Sequence, residues 1–142
     1  MVKYLLDTNV IAELVKPQPN PAVVAWIDAH DELELYISVV TVGELLRGIA
    51  KHPHPARQAQ LGAWVHDELV PRFGARIWPL SLDVMRTWAQ ITVSCERMGR
   101  PLPGMDSLIA ATALHHRATL VTRNTRDFVH TGVSLYNPWL QD

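Results

Sequence analysis

The chain has 142 residues, 48% of them hydrophobic and 19% charged, with 13 Lys and Arg against 14 Asp and Glu. One domain's worth of chain is enough for a core without staples, and a net charge of −1 excludes both a disordered polyelectrolyte and a general polyanion binder. Cys95, the single cysteine, excludes an internal disulfide framework.

No run approaches the ~18–20 apolar residues of a membrane span. Asp7 also interrupts the first apolar stretch before it reaches the ~7–15 residues of a signal-peptide core. A soluble, cytoplasmic single domain over residues 1–142 is expected. In chain order, Val2–Leu6 predicts a short strand ending on Asp7. Pro17, Pro19 and Pro21 then break the chain before a helix over Ala22–Ala29. A second strand, Leu35–Val39, leads into a helix with Val42, Leu45, Leu46 and Ile49 on one stripe. His52-Pro53-His54-Pro55 is a proline-stiffened loop, since two histidines at i, i+2 make a poor metal site. Leu61, Trp64, Val65 and Leu69 form another helical stripe, followed by a strand over Ala75–Leu80. Val84, Met85, Trp88, Ile91, Cys95 and Met98 make the longest stripe, which puts Cys95 in the core. A compact apolar helix carries Leu108, Ile109, Ala111, Thr112 and Ala113, with His115-His116 near its end, placed to meet the last carbonyls. Strands over Thr119–Thr122 and Val133–Tyr136 follow, and Trp139 is expected to cover an edge or an interface. From Arg97 onward, five arginines (97, 100, 117, 123, 126) stand against Asp106, Asp127 and Asp142. That stretch is net basic wherever those acids hold cations.

Strands alternating with helices predict an α/β fold, a three-layer α/β/α sandwich on a mostly parallel sheet. Ligands in such sheets sit beyond the carboxyl ends of the strands. Asp7 directly follows the first strand, and Glu44 lies in the helix after the second. Asp106 opens the compact helix, while Asn124 and Asp127 follow the fourth strand. Each acid also has a local explanation. Asp106 fits a helix N-cap, Thr41 with Glu44 fits a capping box, and Asp7 with Asn9 fits a turn. Gathered together, however, several carboxylates demand a cation. All-oxygen ligation selects Mg²⁺, with Mn²⁺ as a substitute, over zinc. Such an ion polarises phosphate and activates water for phosphodiester hydrolysis. Asn9, Ser38, Thr122 and Asn124 are candidates to orient the acids or waters. The chain has no GxxxxGK[ST] loop, so an NTPase is not indicated.

LLDTNVIAEL (5–14), PQPNPAVVAWID (17–28), ISVVTVGELLRGI (37–49), MDSLIAATAL (105–114), TRNTRDF (122–128) and YNPWL (136–140) together resemble a PIN domain. The likeness is to the VapC-type toxins of toxin–antitoxin pairs, on the FitB-like branch. It implies the α/β/α sandwich, a Mg²⁺-dependent endoribonuclease, and Asp7, Glu44 and Asp106 as site acids. The family's fourth acid falls on either Asn124 or Asp127, of which only Asp127 ionises. The resemblance also implies a small VapB- or FitA-like antitoxin that blocks the site and contacts operator DNA, so that DNA is met only through the antitoxin. A homodimer is expected as well, the commonest oligomer. Two other readings are a non-catalytic PIN subunit supporting a DNA-binding antitoxin and a haloacid-dehalogenase-like phosphatase. The phosphatase needs a second Asp where this chain has Asn9.

Overall fold

A computed structural model describes residues 2–140; Asp142, the last of the acids counted above, lies outside them. Five strands form one sheet: β1 (Tyr4–Leu6), β2 (Leu35–Ser38), β3 (Ile77–Trp78), β4 (Thr119–Val121) and β5 (Leu135–Tyr136). Their order is β3-β2-β1-β4-β5, and every neighbouring pair is parallel. Tyr4 pairs with Leu35 on one side and Thr119 on the other. The strands are shorter than their apolar runs because the ends of those runs enter turns and helices. Val39, for example, is already helical.

Both faces of the sheet are covered, which is why its strands are apolar throughout rather than alternating. On one face Leu5 and Leu120 pack with Ile109, Ala110 and Ala113 of α7 (Gly104–His116). Ile91 of α6 (Leu82–Arg97) joins them. The side chains one step along the same strands, Leu6 and Val121, point to the other face. They meet Val10 and Ile11 of α1 (Thr8–Leu14) and Val23 of α2 (Pro21–Asp28). Val42 and Leu45 of α3 (Val39–Ala50) close that face, together with Val65 and Leu69. The stripe containing those last two residues is not one regular helix. α4 (Pro55–Trp64) widens into a π-helical turn over Val65–Leu69 before α5 (Val70–Phe73). Three layers result, as the alternation predicted.

Several local expectations are revised. Asp106 is not an N-cap, because α7 starts two residues earlier behind Pro103 and puts Asp106 in its first turn. Thr41 and Glu44 form no capping box: β2 runs straight into α3, and the Ser38 hydroxyl accepts from Val40 N at 3.0 Å. His116 stacks flat on Trp78, with centroids 3.8 Å apart and planes at 8°, rather than meeting carbonyls. Burial, then the neighbouring His115 and Lys3, pushes its pKa down to about 4. Cys95 is buried, as its stripe required. Trp139 packs against the α1–α2 face and carries the Arg123 guanidinium over its ring at 5.4 Å. Among the described residues, no helix is long and apolar enough to cross a membrane.

Candidate active site

The order of strand addition reverses at the β1–β4 pair: from the central β1 the chain builds outward through β2 and β3, then returns for β4 and β5 on the other side. A crevice forms at such a switch point, and Asp7 stands at its mouth. Its backbone N–H extends the ladder to Val121 O at 2.9 Å. Its side chain is 5% exposed and held on both oxygens. Oδ1 accepts from Thr8 N at 2.7 Å, which also caps α1, and Oδ2 accepts from the Thr122 hydroxyl at 2.7 Å. Asn9 Nδ2 lies 3.4 Å from Oδ2 and 3.2 Å from Thr122 Oγ1. Burial raises the Asp7 pKa, the Thr122 and Thr8 bonds pull it back, and Glu44 adds repulsion.

The other acids come from three further segments. Glu44 lies one turn beyond Thr41 on α3 and accepts from the Thr8 hydroxyl at 2.6 Å. Asp106 is half-buried, and its pKa is pushed up to about 6. Burial is the largest cause, followed by repulsion from Asp7, Glu44 and Asp127. That order places all four carboxylates in one electrostatic neighbourhood, Asp127 included. Asn124 is exposed, and its backbone N–H donates to Thr122 Oγ1 at 3.1 Å. Of the two residues offered for the fourth place, Asp127 is the one whose charge Asp106 feels.

Of the four residues expected to orient the acids, Thr122 and Asn9 do so directly. Asn124 reaches Thr122 only through its backbone N–H, and the Ser38 hydroxyl is committed to its helix. Sequence reasoning missed Thr8 and Thr41, whose hydroxyls lie 3.0 Å apart beside Glu44. The available signal was the i, i+3 spacing of Thr41 and Glu44, which marks a shared helix face.

The donor set is all carboxylate, with the Asp106 pKa raised to about 6 by burial first and by its acidic neighbours second. That chemistry suits a hard divalent cation such as Mg²⁺ or Mn²⁺ and not zinc. Among the described residues, no three His, Cys, Asp or Glu side chains are already drawn round one ion-sized point. Asp7, Glu44 and Asp127 are all near enough for Asp106 to feel their charge. Thr8 holds Glu44. Beside Glu44 a cavity of about 580 Å³ opens between α3 and the start of α7, lined by Val39, Arg47, Leu80 and Met105 among others.

A parallel α/β sandwich with clustered carboxylates at its switch point defines a class of acidic-site α/β proteins. The PIN-domain family model matches residues 4–133, and the chain belongs to the PIN-domain family. It is 38% identical over 135 residues to "VapC ribonuclease Y4jK" of Sinorhizobium fredii, covering 95% of this chain and 96% of that one. It is likewise 38% identical over 135 residues to "Toxin FitB" of Neisseria gonorrhoeae, covering 95% and 97%. The solved structure of FitAB bound to an IR36 DNA fragment superposes with a TM-score of 0.92 at 37% identity, over 98% of this chain and 97% of that one.

Proposed function

We propose that this protein is the toxin of a toxin–antitoxin pair, a Mg²⁺-dependent endoribonuclease acting in the cytoplasm. The observation that carries the reading is the convergence of Asp7, Glu44, Asp106 and Asp127 at the sheet's switch point. Relatives named ribonuclease and toxin support it. Bound Mg²⁺ would supply charge stabilisation at the phosphate and acidify water. Asp7 would hold it from a fixed position, because its hydrogen bonds leave little rotamer freedom. Glu44 and Asp106 would complete the ligand set from α3 and α7, with Asp127 orienting water at the rim.

A FitA-like antitoxin is the proposed partner, supported by the FitAB likeness, with operator DNA met through that partner. A basic side chain from it, laid across the acids, would compete with Mg²⁺ by charge-assisted hydrogen bonding. We further propose a homodimer. The phosphatase reading loses its general acid, since Asn9 serves to orient Asp7 and Thr122.

The test is incubation of the purified chain with total RNA in Mg²⁺ or EDTA, followed by mapping of cut ends. Cleavage should appear with Mg²⁺ and vanish with EDTA. Asp7→Asn and Glu44→Gln should each lower the rate at least ~10²-fold, the scale of several kcal/mol of charge stabilisation. Asn caps a helix about as well as Asp, so loss in Asp7→Asn is not loss of α1. Intact RNA in Mg²⁺, or equal cleavage by the variants, would refute the assignment and leave the non-catalytic subunit.

A further inference from the structure

We infer that Thr41 is a positioning residue that acts through the Thr8 hydroxyl to set the place of the Glu44 carboxylate. The inference rests on the nuclease reading above. Thr41 is fully buried and makes no direct bond to Glu44, although both are on α3. Its side-chain partner is Thr8 Oγ1 at 3.0 Å, and the same Thr8 oxygen lies 2.6 Å from Glu44 Oε1.

A hydroxyl has one proton and two lone pairs. Thr8 Oγ1 is the donor in both contacts, to Glu44 Oε1 at 2.6 Å and to Thr41 Oγ1 at 3.0 Å. Its one proton is shared between the two acceptors and leans to the closer carboxylate. The result is a three-oxygen relay in which buried Thr41 fixes the rotamer of the Thr8 hydroxyl, and the Thr8 hydroxyl in turn fixes Glu44. Glu44 is only half-buried, and a glutamate on a helix surface otherwise samples several rotamers. Thr8 is adjacent to Asp7, so the relay ties Glu44 to the residue that anchors the site. Burial alone does not call for a threonine at position 41, because valine has the same shape and no hydroxyl to satisfy.

The test uses the full chain with Thr8→Val, Thr8→Ser, Thr41→Val, Thr41→Ser and the double valine variant. Mg²⁺ affinity is measured by calorimetry, RNA cleavage as separate kcat and KM, and melting in EDTA. Orienting partners of metal ligands are worth about 10–100-fold in affinity. Thr8→Val should weaken Mg²⁺ binding within that range, Thr41→Val by about 10-fold, and both should lower kcat with KM little changed. Serine at either position should restore affinity. The double variant should bind no more weakly than Thr8→Val alone, since the two act in series.

Wild-type Mg²⁺ affinity in Thr41→Val would overturn the inference. So would multiplying effects in the double variant, or lower melting with unchanged affinity. If Thr41→Val does not fold, Thr8→Val at wild-type affinity overturns it equally. A wild type that neither binds Mg²⁺ nor cleaves RNA refutes the nuclease reading and this role with it. A wild type that does both, beside unaffected threonine variants, refutes this inference alone.

Discussion

Asp106 carries two opposing effects that pH separates. In the first turn of α7 its charge meets the positive end of the helix, yet burial and three other acids push its pKa up to about 6. A carboxyl whose folded pKa lies above its unfolded value contributes stability below the unfolded value of 3.8. It loses that contribution as pH rises through about 6. In EDTA at pH 7.5, Asp106→Asn should therefore melt above wild type. Solvent at the half-buried carboxylate screens part of the repulsion, so a gain of about 2 °C is expected, under ~1 kcal/mol. The gap should narrow as pH falls below about 6 and close only near the unfolded value of 3.8. His116 has the opposite sign: its depressed pKa withdraws stability as pH falls toward about 4. Variants must accordingly be compared with wild type at each pH and not along one curve. Added Mg²⁺ should raise wild-type melting by mass action and leave Asp106→Asn nearly unmoved. Equal Mg²⁺ responses would remove Asp106 from the metal site.

At the scale of elements, the site depends on strands that pass into helices without a loop. Ser38 ends β2 and caps α3, the helix that carries Thr41 and Glu44. Ser38→Ala should leave Val40 N–H buried without its 3.0 Å partner, a loss of about 1 kcal/mol with a range of ~0.5–2. Ser38→Thr should recover most of it. Amide exchange at Val40 should speed up in the Ala variant, and melting equal to wild type would show that the cap contributes nothing. This passage from strand to helix also explains what sequence could and could not reveal. The strands were legible because burial on both faces leaves continuous apolar runs, and α6 because one stripe repeats over its whole length. The start of α3 was misplaced because T-x-x-E is the same string whether it caps a helix or lies one turn inside it. Asp7 and Asp106 were legible from their places after a strand and at a helix start. The contacts that finish the site were not. Thr8 meets Glu44 across 36 residues and Thr122 meets Asp7 across 115. Those meetings are set by the sheet order, which places β2 and β4 on either side of β1, and no local pattern encodes it.

The whole molecule presents an electrostatic problem for the proposed substrate: a chain of net charge −1 brings its densest negative charge to the place where an RNA phosphate must come. A divalent cation neutralises only the centre, so the RNA on either side needs protein cations near the rim. Arg47 is exposed one turn beyond Glu44 and lines the cavity beside it. Arg123 follows Thr122, donates its backbone N–H to Asn9 at 3.4 Å, and has its guanidinium held over Trp139. The two positions flank the acids from the α3 and β4 sides. Each phosphate neutralised on a single strand contributes about 0.7 to the slope of log affinity against log salt. Arg47→Ala and Arg123→Ala should each raise KM for RNA several-fold at low salt and flatten that slope by about 0.7, with kcat nearly unchanged. Arg86 is the control, an exposed arginine on α6 already paired with Asp83 at 3.0 Å; Arg86→Ala should leave slope and KM as they are. An unchanged slope in both rim variants would mean that RNA reaches the acids by another path. A fall in kcat without a change in KM would move these arginines from the binding surface into the reaction itself.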